Sequence, residues 1–90
     1  MVETIWVARL KISRATAHKI STEHGLQPVE IRDALQCVPG LPFLWDDDPE
    51  RGRRAILQTF IRGHKVEVVL YPANDPQGDA YHLGSAYRIR

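Results

Sequence analysis

Hydrophobic and polar residues alternate at the start of the chain. In the stretch TIWVARLKI, residues 4–12, one side is apolar and consists of Trp6, Ala8, Leu10 and Ile12. The polar side carries Arg9 and Lys11. A period of two is typical of a half-buried β-strand, so we predict an N-terminal strand over these residues.

Helical spacing replaces this alternation in the next segment. Ser13 can accept a hydrogen bond from a free N–H of a first turn, which predicts a helix from Arg14 to about His24. Gly25 can take the left-handed conformation that ends such a helix. A second helix is predicted to begin at Pro28 and to end before Pro39-Gly40, with apolar positions at Ile31, Leu35 and Val38.

The second half of the chain contains the clearest strand pattern. The segments RAILQTFIR, residues 54–62, and KVEVVLY, residues 65–71, are separated by Gly63-His64. A two-residue connection with glycine first predicts a tight hairpin with a type II′ turn. The segment AYHLGSAYRI, residues 80–89, predicts a last strand of the same sheet.

The remaining segments complete the predicted order of elements. The stretch LPFLW, residues 41–45, fits a short strand or an extended segment, and DDDPERG, residues 46–52, fits a loop. The order strand, helix, helix and then strands predicts one α+β domain over residues 1–90. We expect a three- to four-stranded antiparallel sheet with both helices on one face, and the other face open to solvent or to a ligand.

Alternation also predicts which side chains face the core. The predicted core consists of Leu10, Ile20, Ile31, Leu35, Leu57, Ile61, Val66, Val68 and Leu70. In the last strand the bulkier set, predicted to face inward, is Tyr81, Leu83, Ser85, Tyr87 and Ile89. The set predicted to face outward is Ala80, His82, Gly84, Ala86 and Arg88. A shift of one residue would exchange these two sets.

Composition limits the setting of the protein. Cys37 is the only cysteine in 90 residues, which suits a reducing compartment. No stretch resembles a signal peptide or a membrane span, so we expect a cytoplasmic protein without a membrane partner. Residues 51–90 carry seven basic and three acidic side chains, whereas residues 25–50 carry one basic and six acidic. The C-terminal half is therefore expected to present a basic surface.

The outward set of the last strand suggests a site for a phosphodiester. Gly84 and Ala86 would form a small floor between His82 and Arg88, and the neighbouring strands would add Arg54, Gln58, Arg62, Lys65 and Tyr71. Cations stabilise the charge that develops on a phosphate, and an imidazole, or a tyrosine of lowered pKa, can move a proton. The 2′-hydroxyl of RNA can be the nucleophile, so no metal is required. Alternatively, the small residues only keep a solvent-facing strand flat.

Three segments of the sequence resemble a known protein family. The segments KISRATAHKISTEHGLQPVEIRDAL, VEVVLYP and LGSAYRI resemble the small bacterial domains grouped with BrnT toxins, and are most similar to an uncharacterised sister family. Those domains begin with a strand and a helix that ends in His-Gly or Arg-Gly, and they are similar to the RelE superfamily. The resemblance implies a cytoplasmic endoribonuclease of a type II toxin–antitoxin system. It would need no metal or cofactor, and an antitoxin protein encoded beside it would neutralise it.

The resemblance also implies site residues. It assigns RNA cleavage to Arg54, His82, Tyr87 and Arg88. It places a basic residue of the first helix at Lys19, and with the strand neighbours this predicts an RNA-binding set of Lys19, Arg62, Lys65 and Tyr71. Tyr87 and Arg88 would point to opposite sides of a regular strand. Both can serve one face only if the strand twists or bulges there.

Other interpretations stay open. The same fold could be a non-catalytic module that binds a protein partner or nucleic acid. A metal-dependent hydrolase could use the oxygen-rich group Asp46, Asp47, Asp48 and Glu50. Clustered acids beside the arginines of RGRR more often form a solvated loop or pair with those arginines. We interpret His24 as a cap at the helix C-terminus and His64 as a turn residue.

Overall fold

One mixed sheet and two helices make up the fold. The structure is a computed structural model, and it describes residues 3–89. Its elements are β1 Thr4–Ile5, β2 Arg9–Lys11, α1 Arg14–His24, α2 Pro28–Leu35, β3 Leu41–Asp48, β4 Gly52–Ile61, β5 His64–Pro72 and β6 Ala80–Arg88. Over these residues the sheet has the order β1-β3-β4-β5-β6-β2. The predicted α+β class is confirmed, but the sheet is larger than predicted and mixed, because β2 runs parallel to β6.

The predicted N-terminal strand is divided between the two edges of the sheet. β1 pairs with β3 at one edge, and β2 pairs with β6 at the other. The four residue steps from Ile5 to Arg9 span at most about 14 Å, whereas a flat sheet of this many strands is about 24 Å wide. The sheet is therefore curled, and its edges approach each other at this end. The single strand over residues 4–12 was wrong, and Trp6 is exposed.

Local capping rules explain the first helix. The Ser13 side chain accepts a hydrogen bond from the Thr16 N–H at 3.1 Å, and Gly25 ends α1 with a φ of 64°. The second helix is shorter than predicted and ends at Leu35. Its chain turns away there because the Cys37 N–H donates to the Val7 carbonyl at 2.8 Å, next to a bridge between Val7 and Gln36. A long-range contact thus removes Val38 from the helix.

Two loop predictions also change. The acidic stretch Asp46–Asp48 belongs to β3 and pairs with β4 instead of forming a loop. The β4–β5 hairpin turns at Arg62 and Gly63, whose φ angles are 51° and 77°. Two successive positive φ angles are typical of a type I′ turn, so the predicted type II′ turn at Gly63-His64 was wrong. His64 is instead the first residue of β5.

The core lies between the helices and one face of the sheet. Every residue of the predicted core is buried. Ile20 of α1 and Leu35 of α2 belong to one apolar cluster with Leu57, Val66 and Val68 of the sheet. Both helices therefore pack against the same face, as predicted. We call the opposite side of β3, β4, β5 and β6 the open face.

A β-bulge at Gly84 reverses the predicted alternation of β6. Leu70 lies opposite Leu83 and Val69 opposite Ser85, which leaves Gly84 as an extra residue. Beyond this point Ala86 faces Val68 and is buried, Arg88 faces Val66 on the helix side, and Tyr87 faces Glu67 on the open face. The predicted faces of Ser85, Ala86, Tyr87 and Arg88 were therefore wrong.

Gly84 has a packing reason for its small size. A Cβ atom at this position would lie 2.4 Å from Cε2 and 2.9 Å from Cδ2 of the Tyr71 ring, and 3.2 Å from the Val69 carbonyl oxygen. The missing side chain therefore makes room for Tyr71, which crosses from β5 over the bulge. The predicted small floor exists at Gly84, but a tyrosine ring occupies it.

Candidate functional site

Five of the eight predicted site residues lie on the open face. They are Arg54, Lys65, Tyr71, His82 and Tyr87. The register of the sheet places Tyr71 opposite His82 and Glu67 opposite Tyr87 on the β5–β6 pair. Arg54 lies opposite Asp46 on the β3–β4 pair, and Lys65 lies opposite Phe60. The sequence therefore located a real cluster of polar side chains.

Carboxylates already hold the central arginine of this cluster. Arg54 Nε donates to Asp46 Oδ2 at 2.7 Å, and Nη1 donates to Asp48 Oδ2 at 3.4 Å. The hydrogen bond with Asp46, followed by the nearby Tyr71 hydroxyl, raises the pKa of Arg54 above its ordinary value. A phosphate would have to compete with two carboxylates for this guanidinium. Arg54 is thus a charged side chain that is neutralised in place.

Asp48 links Arg54 and Tyr71 to the backbone of the β3–β4 turn. Its Oδ1 accepts hydrogen bonds from the Glu50 N–H at 2.9 Å and the Arg51 N–H at 3.3 Å, and its Oδ2 accepts one from the Tyr71 hydroxyl at 3.1 Å. The Glu50 hydrogen bond is the largest cause that lowers the pKa of Asp48, and the Tyr71 hydroxyl and the Arg54 charge lower it further. Two of the four acids proposed as possible metal ligands, Asp46 and Asp48, therefore bind Arg54, and Asp48 also holds the β3–β4 turn.

Tyr87 keeps its proton on the open face. Its hydroxyl donates a short hydrogen bond to the Glu67 carboxylate. This bond is the largest cause that raises the pKa of Tyr87 above its ordinary value of 10.0, and burial and the Glu67 charge raise it further. A phenol with a raised pKa is a poor base near neutrality. Tyr87 is therefore not the tyrosine of lowered pKa that sequence reasoning allowed.

The open face as a whole is not basic. The acids of this face are Asp46, Asp48 and Glu67. Its bases are Arg54, Lys65 and Arg51, whose guanidinium lies over the Tyr71 ring, so the formal sum of these charges is zero. Next to them lies an apolar groove of about 480 Å³, lined mainly by Pro42, Leu44, Ile56 and Phe60. Leu44 is 75% exposed and Phe60 is 69% exposed. Paired charges beside exposed apolar side chains suit a protein partner better than a polyanion.

Two predicted RNA-binding residues lie elsewhere. Lys19 is exposed on α1, in the helical layer. Arg62 is in the β4–β5 turn, where its Nε lies 2.7 Å from Glu30 Oε2 and its Nη2 donates to the Gly25 carbonyl at 3.0 Å. These contacts join the hairpin to the connection between the helices. The structure thus gives Arg62 a role in packing.

The eighth predicted residue, Arg88, lines a cavity on the helix side. The cavity has a volume of about 520 Å³ and is lined by Glu23, His24, His64, Arg88 and Ile89. The ends of three secondary-structure elements meet there, because α1 ends at His24, β5 begins at His64 and β6 ends at Arg88. Among residues 3–89, no carboxylate lies within salt-bridge distance of Arg88. We call this site the histidine cavity.

The histidine cavity touches the open face through Tyr87. The rings of His24 and Tyr87 have centroids 6.1 Å apart and are inclined at 48°. His24 Nε2 lies 3.8 Å from Glu23 Oε2. A guanidinium, two imidazoles and a carboxylate thus line one concave surface. Such a set can bind an anion and can move protons.

Sequence reasoning missed two members of this set. It interpreted His24 as a helix cap and His64 as a turn residue, because no local pattern links positions that are 40 and 24 residues apart. The pairing of Val66 with Arg88 and of Ile61 with His64 was the information needed, since both pairs lie at one end of the sheet. The pair of Ile61 and His64 forms because the hairpin turns at Arg62-Gly63 instead of at the predicted Gly63-His64.

Metal-binding groups, membrane-spanning helices and known relatives give no additional evidence on the function. Within residues 3–89, no three His, Cys, Asp or Glu side chains form a group that could hold a metal ion. The same part of the chain contains no helix long and apolar enough to cross a membrane. No protein-family model matches the chain, and neither a curated protein nor a solved structure gives a significant match. The resemblance to BrnT-like domains therefore stays a prediction.

Proposed function

We propose that the protein is a metal-independent endoribonuclease of the toxin type. The observation that carries this proposal is the meeting of His24, Tyr87 and Arg88 at one end of the sheet. These residues come from two of the three segments on which the resemblance to BrnT-like domains rests, at the His-Gly pair that ends the first helix and at the final SAYR. Residues more than 60 positions apart thus converge at an arginine that pairs with no carboxylate of residues 3–89.

The chemistry of RNA cleavage fits these groups. The 2′-hydroxyl attacks the adjacent phosphorus, and the extra negative charge that develops on the phosphate oxygens needs a cation. Arg88 suits this role because its planar fork can bind two oxygens, and no carboxylate of residues 3–89 occupies it. An imidazole such as that of His24 can transfer a proton near neutral pH.

The proposal includes a setting and partners. Such an enzyme would act on cytoplasmic RNA and would be harmful unless a second protein blocked it. We propose that a small antitoxin encoded beside it has this role. The paired charges and the apolar groove of the open face are compatible with contact to such a protein.

Induced expression without the neighbouring genes tests the proposal. We expect wild type to arrest growth and to degrade RNA, and purified protein to cleave RNA in EDTA. Arg88→Ala should reduce cleavage roughly 10²-fold or more, by analogy with the loss of one transition-state donor. Arg54→Ala, compared at equal amounts of folded protein, should retain most of it.

Two outcomes would contradict this view. If wild type is harmless and leaves RNA intact, the protein is not an endoribonuclease. If Arg54→Ala abolishes cleavage in a folded protein while Arg88→Ala does not, the site lies on the open face, as the sequence alone predicted. Thermal melts of each variant supply the folding control.

The exposed groove favours a second candidate function, a non-catalytic module that binds a protein. Leu44 and Phe60 project from neighbouring strands into the same groove, and both are mostly exposed. In this case wild type would leave RNA intact but would copurify with the product of a co-expressed neighbouring gene. Leu44→Asp should then abolish the complex, whereas Val29→Asp, at an exposed position of α2, should not.

A further inference from the structure

The histidine cavity contains a second imidazole that neither the sequence motifs nor the proposed function uses. His64 begins β5 and lies opposite Ile61, whose side chain is buried under the helices. The His64 ring therefore belongs to the helix side of the sheet, with His24 and Arg88. Of the four histidines in the chain, His18 is exposed on α1 and His82 is exposed on the open face. Only His24 and His64 line the cavity.

We propose that the histidine cavity binds the scissile phosphate of RNA and that His24 and His64 are the proton-transfer pair of the reaction. Arg88 binds the phosphate oxygens between them. This assignment rests on the proposed ribonuclease function, and it adds the ligand, its position and the partner of His24. It also explains why Arg88 belongs to the site although the bulge turns it away from Arg54 and Tyr71.

Size and charge support a phosphate in this cavity. The volume of about 520 Å³ exceeds what one phosphodiester group and its ribose need. The lining offers one permanent cation, Arg88, two groups that become cations when protonated, and a single carboxylate, Glu23. On the open face, by contrast, Arg54 is already bound by Asp46 and Asp48. A phosphate therefore finds uncommitted donors in the cavity.

The contacts of the two histidines assign their roles. Glu23 Oε2 lies 3.8 Å from His24 Nε2, so a carboxylate accompanies the His24 ring when that ring carries its second proton. Among residues 3–89, no carboxylate lies within 4.0 Å of the His64 nitrogens. We therefore assign the proton donor to His24 and the proton acceptor to His64.

The reaction then balances without a metal. His64 takes the proton of the 2′-hydroxyl while the 2′-oxygen forms a bond to phosphorus. The bond between phosphorus and the 5′-oxygen breaks, and protonated His24 gives its proton to that oxygen. The products are a 2′,3′-cyclic phosphate and a free 5′-hydroxyl. Arg88 stabilises the additional negative charge on the phosphate oxygens, and exchange with solvent restores both histidines.

Binding can be measured directly because the chain contains its own controls. We would follow the ring signals of all four histidines by NMR while adding inorganic phosphate, and then a short RNA with a 2′-deoxy residue that cannot be cleaved. The signals of His24 and His64 should shift in a saturable way, whereas those of His18 and His82 should not. A shift confined to His82, or none at all, overturns the proposal.

Cleavage tests the proton roles. His24→Asn and His64→Asn should each lower kcat/KM by roughly 10²- to 10⁴-fold, and His18→Asn should leave it unchanged. The wild-type pH profile should be bell-shaped. The charged and titratable neighbours of the two rings are Glu23 and Arg88, which line the same cavity, and Tyr87, whose ring lies 6.1 Å from that of His24. His64→Asn should remove the acidic limb of this profile, and His24→Asn should remove the basic limb.

The outcomes separate this inference from the proposed function. If wild type cleaves RNA but the double variant His24→Asn/His64→Asn cleaves as well, the histidine pair is wrong and the ribonuclease stands. If wild type leaves RNA intact while phosphate still shifts His24 and His64, the ribonuclease and the proton roles fall, and only an anion site is left. Melts of each variant show whether the fold is retained.

Discussion

The open face and the histidine cavity use the same residue type in opposite ways. Arg54 lies on the open face near the β3–β4 turn, where Asp46 and Asp48 bind its guanidinium. Arg88 lies at the end of β6, where the described part of the chain offers it no carboxylate partner. Both are arginines of a predicted catalytic set, yet only one is available to a ligand. A cluster of suitable residue types is therefore not sufficient evidence of a site.

Register explains this difference. The β3–β4 pair places Asp46 directly opposite Arg54, and opposite charges in such cross-strand positions attract each other. The β5–β6 pair places the apolar Val66 opposite Arg88. Arg54 is thus neutralised by its neighbour Asp46 in the sheet, whereas Arg88 lies beyond Ala86, the last buried residue of β6. Substitutions in the shared core, at the bulge and at the open-face acids test how these two regions are built.

The largest expected effect is at the core that supports both regions. Leu35→Ala should lower the free energy of unfolding by about 2–5 kcal/mol, because it removes a fully buried side chain and leaves a cavity. Val29→Ala on the same helix is the matched control, since Val29 is 60% exposed and should change stability by about 0.5 kcal/mol or less. Denaturant melts measure both variants. A melt of Leu35→Ala that overlays wild type would show that the packing is wrong.

A smaller effect is expected at the bulge that separates the two regions. Gly84→Ala would place a Cβ against the Tyr71 ring and near the Val69 carbonyl, so it should cost about 1–3 kcal/mol by overpacking. Most of this cost should disappear in a Tyr71→Ala background, because the ring is the closest obstacle. A double-mutant cycle measures the coupling. Strictly additive effects would mean that Gly84 does not make room for Tyr71.

The smallest of the three effects concerns pH and the open-face acids. The pKa of Asp48 is lowered in the folded protein, so its contribution to stability is present above its ordinary value of 3.8 and is lost as the pH falls through the folded value. Asp48→Asn should therefore be less stable than wild type at pH 7, and this difference should shrink below pH 3.8. Melts across this range measure it. Asp47→Asn, one position away, is the control, and an equal response there would exclude a specific role of Asp48.

Much of the fold follows from local rules in the sequence. Ser13 and Gly25 define α1, and alternation identifies the buried residues of β4 and β5. These predictions succeeded because each depends on residues within one turn or one strand. The presence of Arg54, Tyr71 and His82 on one face was predictable for the same reason, since alternation and hairpin pairing bring them together. Tyr87 joins them only because the bulge at Gly84 reverses the alternation of β6.

Only the tertiary structure decided where residues 4–11 and the second half of β6 lie, and which groups surround Arg54 and Arg88. The N-terminal segment divides between two sheet edges because the sheet curls, and β6 changes face because Gly84 is an extra residue opposite Val69 and Leu70. Neither the division of the N-terminal segment nor the bulge produces a local sequence pattern, since each depends on pairing with a distant strand. The sequence by itself thus determined the helices, the central hairpin and the core. Long-range pairing decided that Arg54 binds two carboxylates and that Arg88 lines one cavity with two histidines.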